Sequence, residues 1–312
     1  MSSKQLAVGS EQLAVSSHPL AADCLPLTAY SLFAWGQRTY IMGILNATPD
    51  SFSGDGLAVG ADWVATAVQQ AQQFAADGAD ILDIGGESTR PGSQPITAVE
   101  ELARVIPVIT AVRQAVDLPI SVDTYRAEVA EAALAAGANW VNDVWGLRMD
   151  GRMAEVVAAA GCPIVIMHNR SKPKNVEQQD KLGGRYVSME YSNLIGDIKR
   201  ELQESIHLAL AAGVQESQII IDPGIGFGKT VDQNLQLLNQ LDQLKELGFP
   251  ILLGTSRKSF IGYTLDLPPD ERIEGTAATI AIGINRGADI VRVHDVKVIA
   301  RVAKMVDRIV RL

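Results

Sequence analysis

The sequence predicts a single-domain α/β protein of the (β/α)8 (TIM) barrel class, preceded by an N-terminal extension. Short runs rich in β-branched residues alternate with longer Ala-rich amphipathic stretches, and the alternation repeats eight times from Tyr40 onward. The chain has 312 residues, more than the roughly 250 that such a barrel needs, and 47% of them are hydrophobic. Polar residues follow every one of the eight apolar runs, as expected where parallel strands share one open end.

The apolar runs predict buried parallel strands, because a strand that is covered on both faces is apolar on both. The eight predicted strands are Tyr40–Leu45, Ile81–Ile84, Ile120–Val122, Trp140–Asn142, Ile164–Met167, Ile219–Ile221, Ile251–Leu253 and Ile290–Val293. Amphipathic helices are predicted between them, for example Asp62–Ala76, Val99–Val116, Ala127–Ala136 and Asn193–Ala212.

A glycine recurs between a predicted helix and the next strand, at positions 78, 137, 161 and 287. Glycine just beyond a helix end adopts the left-handed conformation that turns the chain back towards the following strand. Eight repeats of one such unit favour a closed barrel. An open doubly wound sheet is the structural alternative.

Residues 1–37 are weakly patterned and are predicted to form the extension, with the barrel occupying residues 38–312. The extension lacks the basic start and apolar core of a signal peptide, and no apolar run approaches the ~18 residues of a membrane span. With only Cys24 and Cys162, a disulfide framework is not expected, and a cytoplasmic location is the simplest. The net charge of −9 disfavours a nucleic-acid partner.

Acids and amides end three of the predicted inner strands, at Asp123, Asn142 and Asp222. Helix N-capping would account for any one of them. Three together at the mouth of a barrel indicate a ligand that offers several N–H donors, since a carboxylate accepts two parallel hydrogen bonds from an amino group beside a ring N–H. A 2-aminopyrimidinone has such an edge.

Cations end the last two strands, in Ser256-Arg257-Lys258-Ser259 and in Arg292-Val293-His294. This region of a β/α barrel often binds phosphate. Arg292 and His294 are two residues apart and are therefore predicted to lie on the same side of their strand. Surface salt bridges are the alternative interpretation.

The segment Asp222–Thr230 ends in Gly-Lys-Thr but is not a phosphate-binding P-loop, because Pro223 stands where that motif needs glycine. It is predicted to be a tight glycine loop that lets Phe227 approach a flat ligand. No His/Cys cluster supports a transition-metal site at His168 or His294. A Mg²⁺ ion held by one or two side chains together with a substrate phosphate suits the sequence better.

Six segments, in this order, resemble the dihydropteroate synthase family from Tyr40 to the C-terminus. They are Met42–Phe52 (MGILNATPDSF), Asp83–Gly92 (DIGGESTRPG), Ser121–Thr124 (SVDT), Asp222–Lys229 (DPGIGFGK), Gly254–Ser259 (GTSRKS) and Arg292–Asp295 (RVHD). The resemblance implies a transferase of folate biosynthesis. Its substrates would be 6-hydroxymethyl-7,8-dihydropterin pyrophosphate and 4-aminobenzoate, and its products 7,8-dihydropteroate and pyrophosphate. A homodimer is also implied.

The resemblance further implies a role for each matching position. Residues matching those that hold the pterin ring are Asp123, Asn142, Asp222 and Lys258, and Met167 and Phe227 match residues that pack on the substrates. Asn46 matches a Mg²⁺ ligand, and Thr89, Arg90, Ser256, Arg292 and His294 belong to the anion side. Pro91 and Ser259 match the aminobenzoate pocket, over which Phe52 would close. Among these, Asn46, Lys258, Arg292 and His294 are the expected catalytic residues, with Lys258 and Arg292 stabilising charge and not transferring protons.

One departure lies in the first loop, where Gly54-Asp55 reverses the family's usual Asp-Gly order and puts the contact made by that aspartate in doubt. Two other functions compete with the synthase. A pterin-dependent methyltransferase shares the barrel and the pterin-holding acids but has no use for a pyrophosphate site. An inactive pterin carrier would be expected to have lost the cations that this chain retains.

Overall fold

A computed structural model describes residues 33–47, 63–88, 92–171, 176–186 and 190–311. Eight parallel strands surround the centre of the molecule. They are β1 Tyr40–Asn46, β2 Ile81–Gly85, β3 Ile120–Asp123, β4 Trp140–Asp143, β5 Ile164–Met167, β8 Ile219–Asp222, β9 Leu252–Leu253 and β10 Ile290–Val293. Each matches a predicted strand to within a residue at either end.

The strands pair in the order β8-β5-β4-β3-β2-β1-β10-β9. A parallel bridge between Ile221 and Ile251 joins the two ends of this sheet, and the amide of Ile221 donates to the carbonyl of Pro250 at 2.9 Å. The ring is therefore closed, as the repeated unit predicted, and the open-sheet alternative is wrong.

Helices follow the strands and cover the outside of the barrel. They are α1 Trp63–Asp77, α2 Ala98–Ala115, α3 Ala127–Ala135, α4 Met153–Ala160, α5 Leu194–Ala211, α6 Val231–Asn239, α7 Ser259–Leu265, α8 Ile273–Asn285 and α9 Val296–Val310. After β5 the chain also forms an antiparallel hairpin, β6 Val176–Gln179 with β7 Gly183–Tyr186, which the sequence did not predict. No helix among the described residues is long and apolar enough to span a membrane.

Alternation along the strands divides the buried apolar residues into two groups, because successive strand residues point to opposite faces. The outward group packs against the helices and includes Leu82, Val141 and Ile166. The inward group fills the barrel and includes Met42, Trp140 and Ile220. Two residues beyond the inward-facing Ile81, Trp140, Ile220 and Ile290, the barrel lining becomes polar, at Asp83, Asn142, Asp222 and Arg292. This change marks the C-terminal mouth.

The opposite end of the barrel is filled by aromatic side chains. Phe33 packs edge-on against Trp140 and stacks on Trp35, with ring centroids 5.3 Å apart in both pairs. Phe33 and Trp35 belong to the predicted extension, so its last residues pack beneath the barrel, while residues 1–32 lie outside the described part. The division of the chain at residue 37 stays a prediction.

Candidate active site

The acids and amide predicted to bind a ligand all face into the mouth of the barrel. Asp123, Asn142 and Asp222 each lie two residues beyond an inward-facing residue of β3, β4 and β8. N-capping does not explain Asp123, whose carboxylate binds Arg292, nor Asn142, whose amide binds Asp83. It does not explain Asp222 either, because one of its oxygens accepts from the loop amide of Gly224 at 2.7 Å and the next helix, α6, is capped by Thr230.

Arg292 lies between two carboxylates at the centre of the mouth. Its Nε donates to Asp83 Oδ2 and one of its terminal nitrogens, Nη2, donates to Asp123 Oδ2, both at 2.6 Å. Burial lowers the pKa of Arg292, but Asp83 and Asp123 outweigh this effect and the net pKa is raised. Arg292 therefore remains a cation throughout the physiological range.

Opposing effects set the pKa of Asp123. Burial raises the pKa of Asp123 to about 7; Arg292 opposes this rise, and the negative charge of Asp83 adds to it. Burial also raises the pKa of Asp222, with Lys258 acting in the opposite direction. An incoming ligand with N–H donors and partial positive charge would favour the carboxylate form of both groups.

Lys258 connects the acids to the glycine loop after β8. Its ammonium donates to the carbonyl of Ile225 and lies 4.6 Å from the centroid of the Phe227 ring. Burial lowers the pKa of Lys258 to about 8, with Asp222 opposing the change. The Phe227 ring also meets Tyr186 of β7 in a stacked arrangement, with centroids 5.9 Å apart.

Two further predicted residues meet at the ends of β9 and β10. The hydroxyl of Ser256 lies 3.0 Å from Nδ1 of His294 and accepts from the backbone amide of His294 at 3.2 Å. In the tautomer that carries its proton on Nε2, the Ser256 hydroxyl would donate to Nδ1. His294 would thus present an N–H donor to an anion.

The lysine of the Gly-Lys-Thr segment is turned into the protein and contacts the glycine loop. The ammonium of Lys229 is buried and donates to the carbonyls of Gly224 and Phe227 and to Nδ1 of His168, at 2.9, 3.2 and 3.1 Å. Burial lowers its pKa, yet three acceptors match the three hydrogens of the ammonium form. A β-carbon at Gly224, whose φ is +68°, would lie 1.8 Å from the carbonyl oxygen of His168. The sequence did not indicate this inward-turned lysine.

His168 is also held by the protein on its other side. Its Nε2 donates to Glu201 of α5 at 3.2 Å, and the same carboxylate binds the guanidinium of Arg170. The ring is completely buried and its pKa is lowered to about 3, mainly by burial and next by the charge of Lys229. Both nitrogens of His168 are thereby engaged within the protein.

The buried ring of His168 should make the protein sensitive to acid. Its folded-state pKa is depressed from the ordinary value near 6.5, so the unfolded chain binds the proton more readily and stability falls as pH drops from about 6.5 towards 3. Lowering the pH from 8 to 5 should therefore reduce the free energy of unfolding by about 2 kcal/mol through protonation of this group in the unfolded chain. Urea denaturation of His168→Gln at the two pH values should show a correspondingly smaller difference. His207→Gln, an exposed histidine on the same α5, is the matched control. If the stability difference between pH 8 and pH 5 were as large in His168→Gln as in the wild type, His168 would not be the source of the acid sensitivity.

The remaining predicted residues are distributed around this centre. Met167 is buried at the end of β5 beside Asp222, and Asn46 ends β1 opposite Gly85. Ser259 begins α7 and lines a small cleft together with Tyr186 and Tyr263. Predicted residues that lie outside the described part are Phe52, Asp55, Thr89, Arg90 and Pro91.

Asp83 is the site residue that motif reasoning did not single out. It lies on β2 with no solvent exposure and contacts both Arg292 and Asn142. The alternation of side chains along β2 could have indicated Asp83, because it is two residues beyond the inward-facing Ile81 and therefore also faces inward.

The closed barrel with acids and cations grouped at its C-terminal mouth defines a β/α-barrel enzyme with a charged active site. The family model "Pterin binding enzyme" matches residues 42–294. Dihydropteroate synthases of Clostridium beijerinckii and Bacillus subtilis are 52% and 49% identical, over 88% and 90% of this chain and 96% and 92% of theirs. The crystal structure of the Clostridium difficile dihydropteroate synthase in the presence of pteroic acid superposes with a TM-score of 0.81 at 48% identity, covering 90% of this chain and all of that one. A Xanthomonas albilineans dihydropteroate synthase in complex with 7,8-dihydropteroate gives 0.76 at 38% identity, covering 88% of this chain and 94% of that one. The chain belongs to the dihydropteroate synthase family of pterin-binding enzymes.

Proposed function

We propose that this enzyme joins 6-hydroxymethyl-7,8-dihydropterin pyrophosphate to 4-aminobenzoate, forming 7,8-dihydropteroate and releasing pyrophosphate in folate biosynthesis. The observation that carries the proposal is the direct 2.6 Å bond between Arg292 and Asp123. This bond joins acids suited to an N–H-rich heterocycle with a cation suited to the attached pyrophosphate, so both halves of one substrate have partners in one cluster.

The acids account for binding of the pterin half. Asp123, Asn142 and Asp222 face the same mouth, and each has an oxygen for which no described side chain is a hydrogen-bond donor. These oxygens can accept from the amino and ring N–H groups of the pterin. Phe227, with Lys258 beside it, would form a wall against the flat ring.

The cations account for departure of the leaving group. When the bond from the pterin methylene carbon to oxygen breaks, pyrophosphate takes the electron pair and positive charge spreads from that carbon into the ring. Arg292 and His294 would stabilise the departing anion, and Asp123 and Asp222 the cation left behind. The arylamine nitrogen then bonds to the methylene carbon and loses a proton. A neutral arylamine is already nucleophilic, so no strong protein base is needed.

We also propose that a Mg²⁺ ion takes part, as the family resemblance implies. No group of three potential His, Cys, Asp or Glu ligands occurs among the described residues, whereas Asn46 offers one amide oxygen at the mouth end of β1. One side-chain oxygen fits an ion that takes its other ligands from water and substrate phosphates. When bound, the ion would neutralise charge on the pyrophosphate.

A homodimer in the cytoplasm completes the proposal. Leu235, Leu265 and Ile282 are apolar and exposed on α6, α7 and α8, three helices that pack against one another. Exposed apolar residues on three neighbouring helices favour association with a second copy of the chain. Sedimentation velocity should give twice the 33.4 kDa chain mass, and Ile282→Glu should shift the protein towards the monomer. A monomeric wild type would contradict this part.

The test of the function is pyrophosphate release by the purified protein, with the pterin pyrophosphate, Mg²⁺ and 4-aminobenzoate omitted in turn. Release that needs all three, together with formation of dihydropteroate, is the expected result. Tight pterin binding without release would favour an inactive binder, and methyl transfer from a reduced folate would favour the methyltransferase.

A further inference from the structure

Asp83 is a fully buried carboxylate directly beneath the residues proposed to bind the substrate. A single oxygen, Oδ2, accepts both from Nε of Arg292 at 2.6 Å and from Nδ2 of Asn142 at 3.1 Å. The other oxygen, Oδ1, has no hydrogen-bond partner among the described residues. A buried charge is costly unless it is paired, so a carboxylate placed beneath the mouth calls for a reason beyond packing.

The contact with Asn142 decides which way that amide points. A carboxylate only accepts hydrogen bonds, so the group of Asn142 that faces Asp83 must be its NH₂. The carbonyl oxygen of Asn142 is then left for the ligand. Together with Asp123 and Asp222, it makes the polar edge of the pocket a set of acceptors, which suits N–H donors and disfavours ring atoms that carry lone pairs.

The contact with Arg292 decides which part of the guanidinium is available. Asp83 occupies Nε and Asp123 occupies Nη2, so two carboxylates define the plane of the group. Within the described part of the chain, Nη1 has no acceptor, and it remains available for an anion. The guanidinium is thus positioned before any substrate arrives, at no cost in side-chain ordering during the reaction.

We propose that Asp83 is a positioning residue that presets two substrate contacts at once: the acceptor face of Asn142 and the anion-binding edge of Arg292. The inference rests on the proposed function, since it assigns these two contacts to the pterin and the pyrophosphate of one substrate. Asp83 itself touches neither half of that substrate.

Two substitutions separate the geometry supplied by Asp83 from its charge. Asp83→Ala removes both hydrogen bonds and frees Asn142 and Arg292. Asp83→Asn can keep both, because a single amide oxygen at the place of Oδ2 can accept from both donors. Ser121→Ala is the matched control, since Ser121 is the neighbour of Asp83 in the sheet register and has an equally buried, unpartnered hydroxyl in the described structure.

Asp83→Ala should lower kcat/KM for the pterin pyrophosphate by about 100-fold, the loss expected when a reacting group is misplaced by about 1 Å. The KM for 4-aminobenzoate should change little. Asp83→Asn should recover most of the loss, and Ser121→Ala should behave like the wild type. Wild-type kinetics in Asp83→Ala, or an equal loss in Ser121→Ala, would overturn the proposal.

A pH profile provides a readout that a purely structural role would not affect. The charges that act on Asp123 are those of Arg292, Asp83, Glu101, Asp143 and Lys258, and Asp83 raises its pKa. Removing the charge in Asp83→Asn should therefore lower the pKa of Asp123. The pH below which pterin pyrophosphate affinity falls should therefore be lower in Asp83→Asn than in the wild type. A displacement by one pH unit would correspond to about a tenfold change in the protonation equilibrium of Asp123.

This profile also covers the case in which Asp83→Ala does not fold, because Asp83→Asn conserves the shape of the side chain. An affinity that falls at the same pH as in the wild type would overturn the proposal. Failure of the proposed function is distinguishable, since it would appear as a wild-type protein that forms no dihydropteroate. Failure of this inference would appear as an active wild type whose Asp83 variants are unaltered.

Discussion

Replacing Asp222 by Asn should lower the affinity for the pterin pyrophosphate by about two orders of magnitude. Asp222 is buried in the mouth, and one of its oxygens is already held by the amide of Gly224, so the other is the acceptor proposed for the ligand. The substitution replaces a carboxylate by an amide whose NH₂ would face a donor. Loss of one partner from a buried charged hydrogen bond costs about 2–5 kcal/mol.

Calorimetric titration of pterin pyrophosphate into the variant measures this loss directly. Asp289→Asn is the control, because Asp289 is an equally enclosed carboxylate at the other end of the barrel, where it accepts from the amides of Gly36 and Ile251. It should reduce stability and leave pterin affinity unchanged. Normal pterin affinity in Asp222→Asn would show that Asp222 does not contact the ligand edge.

Replacing Arg292 by Ala should lower kcat by about 10²–10³, the usual effect of removing a preorganised donor to developing negative charge. In this protein the group is positioned by Asp83 and Asp123 and keeps its positive charge because both acids raise its pKa. Its removal would take away the stabilisation proposed for the leaving pyrophosphate. Single-turnover pyrophosphate release isolates this step from substrate binding.

Arg292→Ala also leaves two buried carboxylates without their partner, so the thermal midpoint must be measured alongside the rate. Arg292→Lys retains the charge but lacks the two donor edges, and an intermediate rate is expected for it. Arg257→Ala is the matched control. Arg257 is close in sequence to Lys258, but its guanidinium pairs with Asp295 and is 41% exposed. Unchanged turnover in Arg292→Ala would refute the assignment of Arg292 to the leaving group.

Local sequence signals were sufficient for the scaffold. β-branched runs identified eight strands, and Thr97 and Asn193, both N-caps in the structure, stand beside the predicted helix starts. These signals work because strand periodicity and helix capping act over a few residues. The hairpin of β6 and β7 was missed. Its strands, Val-Glu-Gln-Gln and Gly-Gly-Arg-Tyr, carry neither clear alternation nor a core face, and the stacking of Tyr186 on Phe227 is a tertiary contact.

The sequence by itself determined the barrel class, the mouth as the location of the site, and the residue types that reach it, because these follow from short-range periodicity and from where each strand ends. The tertiary structure alone decided how those residues are paired. Arg292 and Asp83 are 209 positions apart, and Lys229 and His168 are 61 apart. The predicted roles of Asp123, Asn142 and Arg292 needed only their positions in the chain. The buried carboxylate that contacts two of them becomes visible only in the folded barrel, where the curvature of the sheet directs the inward face of β2 towards Arg292 of β10.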